Sequence, residues 1–280
     1  MGSETTYGQT TDDKYGGQPV WGEAPSDSLQ YELFLGERFL SIRALKFPTS
    51  TFTYAWLFDG SARGLFSSCE PLAGDRSGPM TAANRNLSYT LDERGGVIEV
   101  RPDAGAPIRV EMRETVSTLW RFPPDDVVIH QPLLEVTCTR GSETWTGQGY
   151  CKRYTCGAEN EHMYWRFITG PADDGAGWFW TAEAAFNLKK YDYFKTASAD
   201  GKVLTAAQPG TWHRDRMACG AIEGVEHRVE IQDLGRIEHD IRQGGTNTKI
   251  SQAFCRASFS RGDRMEQSYA LNEIACGIHG

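Results

Sequence analysis

The feature that most constrains the fold of this chain is a period-two alternation of apolar and polar residues, which recurs along its length while helical periodicity is scarce. At residues 108–113, for example, Ile, Val and Met alternate with Arg, Glu and Arg. Such alternation is typical of a strand with one buried face and one hydrated face. Many short segments of this kind with turn residues between them predict an all-β sandwich or barrel.

The predicted strands follow one another closely and leave one clear interruption. A hairpin is expected around Gly36 and Glu37, and an aromatic-lined strand at residues 51–58. Further strands are predicted at 97–101, 108–116, 127–129, 133–139, 144–154, 162–169, 178–186, 191–196, 250–260 and 266–276. The proline-containing segment 122–126 is the best candidate for a junction. We therefore expect an irregular lead-in at 1–28, an N-terminal β domain at 29–124 and a C-terminal β domain at 125–280.

The charge balance and the hydropathy pattern restrict partners and location. Lys and Arg total 29 against 37 Asp and Glu, a net charge of -8, and no basic run is present, so nucleic acid is not expected as a partner. No apolar stretch approaches the roughly 20 residues of a membrane span. The N-terminus lacks the features of a signal peptide, which predicts a cytoplasmic protein. The sequence does not determine the oligomeric state, and a homodimer is compatible with it.

Motifs for the common cofactor and metal chemistries are missing from the sequence. The seven cysteines are scattered without a CxxC spacing, which indicates reduced core thiols rather than a zinc site. There is no GxSxG, P-loop, HExxH, or GxGxxG after a strand. We therefore expect neither a metal nor a cofactor, and the chain offers no support for a serine hydrolase, a phosphoryl transferase, a zincin or a Rossmann oxidoreductase.

Two histidines interrupt apolar stripes near the C-terminal end. In residues 225–231, His227 shares a face with two valines and an isoleucine, and in residues 236–242 His239 lies between two isoleucines. If the segment between them forms a hairpin centred on Asp233, the two imidazoles lie opposite each other. Buried imidazoles need partners or a use, so we consider a general acid and base pair. The alternative is a pair of core histidines satisfied by neighbouring hydroxyls or carbonyls.

Glu273 is a second ionisable residue in a strand-like segment. By alternation it shares a face with Tyr269 and Leu271. If this face is buried, Glu273 is a candidate general acid or base with a raised pKa. The alternation also fits the opposite orientation, in which Ile274 and Cys276 are buried and Glu273 is a carboxylate at the rim of a strand, and this second orientation is the better supported.

Residues 147–193 have the densest aromatic and ionisable content of the chain. Aromatic walls with a few polar groups are typical of a small-molecule cavity. The candidates are Tyr150 as a catalytic hydrogen-bond donor, and Lys152, Tyr154, Trp165, Trp178, Trp180 and Tyr193 as substrate-binding residues. Aromatic residues also fill the cores of β sandwiches, so each of these side chains has a purely structural interpretation as well.

The same region resembles a known family. Residues 146–150, Thr-Gly-Gln-Gly-Tyr, are followed by Trp178-Phe179-Trp180 and by a turn at Ala199-Asp200-Gly201-Lys202. This arrangement, which covers mainly residues 130–215, resembles the hydroxyneurosporene synthase group of carotenoid 1,2-hydratases and AttH-like proteins. The resemblance implies two lipocalin-like, calycin-type antiparallel barrels packed together, with a cavity for a hydrophobic molecule. It also implies hydration, cyclisation or isomerisation without a redox cofactor.

The resemblance transfers a cavity and no catalytic residue, because Cys151, Lys152 and Arg153 stand where such proteins often have a histidine or aspartate. Our functional hypothesis is a cofactor-independent enzyme that moves protons on a hydrophobic natural product, polyene or aromatic compound. Two alternatives remain open, a lipocalin-like carrier and a carbohydrate-binding β sandwich with exposed tryptophans. Ionisable groups in the cavity favour the enzyme over the carrier.

Overall fold

A computed structural model describes residues 26–75, 80–92, 95–114, 120–122, 126–156, 162–172, 178–186, 190–198, 203–206, 211–213 and 216–278. The described residues form 21 strands and no helix. The predicted all-β class is therefore confirmed. No helix of the described part could cross a membrane.

The first 12 strands form one antiparallel sheet, which we call the first sheet. Its order is β4-β3-β2-β1-β12-β11-β9-β8-β7-β6-β5, and β10 pairs with β11. The strands are β1 (Ser26–Leu35), β2 (Arg38–Lys46), β3 (Thr51–Phe58), β4 (Ala62–Ser68), β5 (Ala73–Asp75), β6 (Met80–Ala83), β7 (Leu87–Asp92), β8 (Gly95–Val100), β9 (Ile108–Glu114), β10 (Trp120–Phe122), β11 (Asp126–Arg140) and β12 (Glu143–Cys156).

The remaining 9 strands form the second sheet, also antiparallel, in the order β16-β15-β14-β13-β21-β20-β19-β18-β17. They are β13 (His162–Ala172), β14 (Trp178–Phe186), β15 (Lys190–Ser198), β16 (Val203–Thr205), β17 (Thr211–His213), β18 (Arg216–Ile222), β19 (Val225–Gln243), β20 (Thr246–Arg261) and β21 (Arg264–Ile278). The chain passes from the first sheet to the second between Cys156 and His162. The expected junction at 122–126 lies earlier, between the paired strands β10 and β11 of the first sheet. The domain limits themselves remain a prediction.

The predicted hairpin around Gly36 is present. Leu35 pairs with Arg38, and Gly36 has a φ of 68°, in the left-handed region that glycine adopts without strain. The glycines at 147 and 149 have a different role, because β12 passes very close to its neighbours. A Cβ on Gly147 would lie 2.0 Å from the Phe34 carbonyl oxygen, and one on Gly149 would lie 2.7 Å from a Val136 methyl group. The two glycines of the Gly-Gln-Gly motif therefore allow close strand packing.

The predicted histidine hairpin is wrong, because β19 is one continuous strand across residues 225–243. His227 pairs with Arg261, and His239 pairs with Ile250. Twelve residues of strand separate the two imidazoles by about 40 Å. The pairing register shifts between Asp233 and Gly235, so Leu234 is the extra residue of a β-bulge.

The bulge reverses the face to which alternate residues of β19 point. Before it, Val229 belongs to a hydrophobic cluster on the far face of the second sheet. After it, Ile241 belongs to a cluster between the two sheets. His227 and His239 are both buried, as predicted, but on opposite faces. A third cluster covers the other face of the first sheet, so the contact between the sheets is one of three apolar layers.

Candidate functional site

A polar cluster is buried within the apolar layer between the two sheets. It takes residues from β1, β2 and β3 of the first sheet and from β13, β19, β20 and β21 of the second. We call it the inter-sheet cluster, and its members are Gln30, Glu32, Ser41, Arg43, Tyr54, Trp56, Trp165, His239, Gln252 and Glu273. Every one of these side chains is buried. Buried polar groups are costly without partners, so this arrangement needs a physical explanation.

Strand register explains why these residues meet. In the first sheet Arg43 pairs with both Gln30 and Tyr54, so the three residues form one row across β1, β2 and β3. In the second sheet Gln252 pairs with Glu273, which in turn pairs with Phe167. Because paired residues share a face, each sheet presents a polar row to the other.

Glu273 is at the centre of the cluster. Its Oε2 accepts hydrogen bonds from Arg43 Nη1 at 2.7 Å and Gln252 Nε2 at 2.6 Å, and its Oε1 accepts one from Trp165 Nε1 at 2.5 Å. Burial opposes ionisation, but the Arg43 charge and these hydrogen bonds outweigh it, so the pKa of Glu273 is lowered. Glu273 thus takes the inward orientation and not the rim orientation that the sequence favoured, and the rise in pKa considered for an inward Glu273 is wrong.

Glu32 has the opposite character. Its Oε1 accepts from Gln30 Nε2 at 2.6 Å and Ser41 Oγ at 3.2 Å, with Gln252 Nε2 at 3.5 Å. Burial raises its pKa well above the usual value, repulsion from Glu273 raises it further, and the hydrogen bonds offset only part of this. Burial therefore favours the protonated form of Glu32. Because Oε1 accepts from these donors, Oε2 is the oxygen available to carry the proton.

The two carboxyl groups are close neighbours that share donors. Gln30 Nε2 lies 2.6 Å from Glu32 Oε1 and 3.3 Å from Glu273 Oε2. Their oxygens are thus within about 6 Å of each other, the range in which like charges shift each other's pKa. Two carboxyl groups whose pKa values are driven apart by their surroundings commonly divide acid and anion roles in enzymes.

The amide of Gln252 is fixed in one orientation by the first sheet. Trp56 Nε1 donates to its Oε1 at 2.6 Å, and Ser41 Oγ lies 3.3 Å from the same oxygen. The Nε2 donor is therefore directed at the carboxyl groups. These contacts connect β2 and β3 to β20, so the geometry of the site depends on both sheets.

His239 forms the edge of the cluster. Its ring stacks on Tyr54 with 3.7 Å between centroids and an interplanar angle of 25°. Burial and the Arg43 charge lower the pKa of His239 to about 4, with Glu273 opposing the shift. The imidazole is neutral at pH 7 and can accept a proton. Burial also raises the pKa of Tyr54, which keeps its phenol protonated.

Several polar atoms of the cluster have no hydrogen-bond partner within the described residues. They are Glu32 Oε2, Arg43 Nε, the Tyr54 hydroxyl and His239 Nε2. Arg43 is near enough to the Tyr54 hydroxyl to influence its pKa, although the pair does not meet hydrogen-bond geometry. Each buried unsatisfied group costs about 1–3 kcal/mol. These four atoms are donors and acceptors of the cluster that no described residue engages.

Other predicted residues lie beside the cluster. Tyr150, which pairs with Glu32 in register, is fully buried with its ring 5.7 Å from that of Phe167. The Lys152 ammonium lies 4.8 Å from the centroid of the same Phe167 ring. Arg43 lies 5.4 Å from the Trp165 ring centroid. The predicted residues Tyr150 and Lys152 therefore border the site, and Trp165 belongs to it.

His227 is outside the site. It contacts Phe194 and Phe259, and its Nδ1 lies 2.9 Å from the Val225 carbonyl oxygen. Burial lowers its pKa, while the Val225 carbonyl opposes this change. It is a core histidine satisfied by a backbone carbonyl, the alternative that the sequence left open.

Four predicted substrate-binding side chains, those of Tyr154, Trp178, Trp180 and Tyr193, lie outside the described part of the structure. Only their backbone positions are given. Position 180 pairs with Thr196, next to the pair of position 182 with Phe194, whose side chain is on the far face of the second sheet. Position 193 pairs with position 183, and position 183 pairs with Phe167, whose side chain is in the layer between the sheets.

Sequence reasoning missed Gln30, Glu32, Arg43, Ser41 and Gln252. Alternation assigns Gln30 and Glu32 to a solvated face of β1, since the intervening residues are apolar. The large aromatic residues of β3 were a usable signal. Tyr54 pairs with Arg43 and Trp56 pairs with Ser41, so these polar residues share a face with aromatic ones. In the described residues, no group of three or more His, Cys, Asp or Glu side chains is placed to hold a metal ion.

An open cleft of about 790 Å³ lies between the sheets near the cluster. It is lined by Phe34, Gly36, Gly147, Gln148, Pro171, Ala172, Arg256, Gln267, Ser268 and Tyr269. Tyr269 stacks on Phe254 at 5.0 Å, and Phe254 stacks on Phe39 at 5.1 Å. Phe39 contacts Trp56 at 5.0 Å. One aromatic layer therefore separates the cleft from the inter-sheet cluster.

Comparison with known proteins gives a fold. No family model and no curated protein sequence matches the chain. A candidate AttH from Nitrosomonas europaea is similar in structure with a TM-score of 0.56 and 14% identity, over 88% of this chain and 91% of that one. Kievitone hydratase from Nectria haematococca is similar with a TM-score of 0.58 and 10% identity, over 97% of this chain and 96% of that one. CghA with Sch210972 is similar with a TM-score of 0.54 and 9% identity, over 91% of this chain and 89% of that one. The predicted resemblance to AttH-like, lipocalin-type proteins is confirmed for the fold.

Proposed function

We propose that this protein is an enzyme that acts on a hydrophobic small molecule by proton transfer in the inter-sheet cluster. The observation that supports this most directly is the pair of buried carboxyl groups within about 6 Å of each other, with the pKa of Glu32 raised and that of Glu273 lowered. Reactions of this class are isomerisation, cyclisation, hydration and dehydration. None of these requires a cofactor when an acid and a base are both in place.

Each residue of the cluster has a distinct role in the proposal. Glu32 is the general acid, because its Oε2 proton has no partner among the described residues. His239 is the general base, because it is neutral and its Nε2 is likewise free within that part of the chain. Glu273 stays ionised and stabilises positive charge that develops on the substrate, together with the aromatic rings of Trp165 and Tyr54.

The proton balance of an isomerisation follows from these roles. The Glu32 O–H bond breaks as a new C–H bond forms on the substrate, which becomes cationic. A C–H bond on the adjacent carbon then breaks and its proton passes to His239 Nε2, while the electron pair forms the new double bond. Glu32 is left as a carboxylate and His239 as an imidazolium, and proton return from His239 to Glu32 restores the site.

The walls of the site support a hydrophobic substrate. The layer around the polar cluster is built largely from aromatic rings, including those of Phe39, Phe52, Phe58, Tyr150 and Phe167. Ligand sites of this composition bury an apolar body and orient it with a few polar groups. The similarity to kievitone hydratase, a protein named for a hydration reaction, agrees with this chemistry at the level of the fold.

A solvent-deuterium experiment tests the proposal without a known substrate. The wild-type protein and Glu32→Gln are incubated in D₂O buffer with a lipophilic extract of the producing organism, and all small molecules are followed by mass spectrometry. We expect at least one compound to change in amount with wild type, and its product to contain carbon-bound deuterium. Glu32→Gln gives no such product. Compounds that co-purify with the protein but return unaltered in D₂O would identify a carrier instead.

The acid itself can be tested in the free protein. A protonated carboxyl group has a C=O stretching band that is separate from the carboxylate bands in an infrared difference spectrum. Wild type at neutral pH is expected to show this band, Glu32→Gln to lack it, and Glu273→Gln to retain it. A band that disappears in Glu273→Gln and persists in Glu32→Gln would assign the acid to the other residue.

A further inference from the structure

The open cleft beside the cluster has an unusual charge pattern. Among the described residues of its lining, Arg256 is the one formally charged side chain, and none of them is a carboxylate. Arg256 is exposed on β20, and within the described part of the chain no side chain forms an ion pair or hydrogen bond with its guanidinium. In contrast, the exposed arginines 101, 228 and 242 each have a carboxylate within 2.8 Å. An unpaired guanidinium in a concave site is suited to bind an anionic group.

The remaining walls of the cleft fit an apolar body. Phe34 and Tyr269 supply aromatic rings, and Gly147 and Ala172 leave space beside them. The cleft volume of about 790 Å³ is in the range of small-molecule sites. Gln148, on the first sheet, adds a polar group that can hydrogen-bond an oxygen of the occupant.

The cleft and the cluster belong to one continuous face of β20 and β21. Arg256 and Gln252 are four residues apart on β20, and Tyr269 and Glu273 are four residues apart on β21. Four residues of strand span about 13 Å. Arg256 in the cleft and Gln252 in the cluster are therefore about 13 Å apart, with the rings of Tyr269 and Phe254 between them.

We infer that the substrate is amphipathic and carries an anionic group, such as a carboxylate, which Arg256 binds in the cleft. Arg256 is thus a specificity-determining residue that selects anionic over neutral hydrophobic molecules. This inference names the substrate class for the enzyme proposed above and rests on that proposal. Anion binding in the cleft can nevertheless be measured by itself.

The test uses two dyes that share one ring system. Anilinonaphthalene sulfonate is anionic, and phenylnaphthylamine is the same molecule without the sulfonate. Fluorescence titration of wild type is expected to give about three- to fivefold tighter binding of the sulfonate than of the neutral dye, because an ion pair with an exposed arginine contributes up to about 1 kcal/mol. Arg256→Gln is expected to remove this preference and to leave the affinity for the neutral dye within about twofold.

A matched control excludes a general effect of net charge. Arg264 is another exposed arginine, at the hairpin between β20 and β21 and outside the cleft lining, and Arg264→Gln is expected to bind both dyes as wild type does. Thermal unfolding and the circular dichroism of both variants confirm that they are folded. Equal affinities for the two dyes in wild type, or a preference that survives in Arg256→Gln, would overturn the inference.

The outcomes also separate this inference from the proposed function. Glu32→Gln is expected to bind the sulfonate dye like wild type, because Glu32 is not part of the cleft lining. If the dye preference depends on Arg256 while the extract experiment shows only unaltered ligands, the cleft binds an anion but the protein is a carrier. If deuterium enters a neutral product and the dye preference is absent, the enzyme is supported and the anionic substrate class is wrong.

Discussion

Glu32 and Glu273 are the same residue type in the same cluster, yet their pKa values are shifted in opposite directions. The difference comes from their donors. Glu273 has the Arg43 charge at 2.7 Å, whereas the contacts of Glu32 are neutral amides and a hydroxyl. Since both are buried to the same extent, the position of one guanidinium decides which carboxyl group keeps its proton.

The raised pKa of Glu32 makes stability depend on pH in a defined direction. A carboxyl group whose pKa is raised by folding stabilises the native state below its unfolded pKa, which is near 4.5, and this stabilisation is lost as pH rises toward the folded pKa. The free energy of unfolding of wild type is therefore expected to fall, relative to Glu32→Gln, by up to about 1.4 kcal/mol per pH unit above that value. Urea denaturation at a series of pH values measures it.

The control for this experiment is Glu238→Gln. Glu238 is exposed on β19. Its replacement is expected to leave the pH dependence of wild type unchanged. If Glu32→Gln and Glu238→Gln give parallel curves from pH 5 to pH 8, then Glu32 is ionised in the native protein and the assignment of the acid is wrong.

His239 affects stability in the opposite direction. Its pKa is about 4 in the folded protein, against the ordinary histidine value of 6.5, so the unfolded chain takes up a proton first as pH falls. Stability from neutral His239 is complete above pH 6.5 and is lost between there and pH 4, a contribution on the order of 3 kcal/mol.

NMR titration of the imidazole signals, assigned through His239→Gln and His227→Gln, checks both histidines at once. We expect the His239 signal to titrate near pH 4 and its curve to be the same in His227→Gln, because the two rings are about 40 Å apart along β19. A His239 curve that moves when His227 is replaced would show coupled titration and would contradict the strand register.

Part of the site was predictable at the level of single residues. The inward position of His239 follows from alternation alone, because period two is a local property of strands, whereas alternation fits both orientations of Glu273. The partners Arg43, Glu32 and Gln252 were not predictable in this way. A polar residue that alternates with apolar ones gives the same sequence pattern whether it faces water or another sheet. Only the pairing of the two sheets distinguishes these cases.

At the level of elements, the β19 bulge decides which histidine joins the site. The sequence from Gln232 to Gly235 contains residues that favour both a turn and a bulge. A turn would have ended the strand there and placed the histidines face to face. The bulge instead keeps the strand continuous and rotates its second half toward the first sheet, where Gly235 lies against Phe58 and Ala62.

Close packing at the bulge gives a stability prediction with an internal control. A Cβ on Gly235 would lie 2.7 Å from the Phe58 ring and 3.0 Å from Ala62 Cβ, whereas a Cβ on Gly64 of β4 would meet only a methyl group of Ile237 at 3.5 Å. Gly235→Ala is expected to lower the free energy of unfolding by about 1–3 kcal/mol, as overpacking does. Gly64→Ala is expected to change it by less than about 0.5 kcal/mol.

Chemical denaturation of the two variants checks this prediction. Equal stabilities would mean that Phe58 moves away without cost, so that the contact between β19 and β3 is loose.

Most strands of the chain were predicted correctly because their alternation is continuous. The β19 error arose where alternation is interrupted, and at such a point tertiary contacts choose between the possible continuations.

At the level of the whole molecule, the inter-sheet cluster joins the two sheets through polar contacts. Arg43 forms an ion pair with Glu273 across the layer, and Trp56 donates a second hydrogen bond between the sheets, to Gln252. Both partners of the ion pair are almost fully buried, with exposures of 6% and 1%. Removing one partner leaves an uncompensated buried charge, so the pair couples the sheets more strongly than a surface pair does.

A double-mutant cycle measures this coupling. Arg43→Met and Glu273→Gln are each expected to destabilise the protein by about 3–5 kcal/mol, and the double variant by less than their sum, with a coupling energy of at least about 2 kcal/mol. The same cycle on the exposed pair Arg101 and Glu99, whose nitrogen and oxygen are 2.7 Å apart, is expected to give less than about 1 kcal/mol.

The cycle also decides whether the two sheets form one functional unit. If the proposed site depends on both, Arg43→Met should release Glu273 from its counterion, and the pKa of Glu273 should rise because burial alone then acts on it. In the infrared spectrum the Arg43→Met protein is therefore expected to show a second protonated carboxyl band near pH 7. That band should be absent from Arg43→Met/Glu273→Gln. A coupling energy no larger than that of the surface pair, without this band, would mean that the sheets pack through their apolar layer alone and that Arg43 does not set the charge of the site.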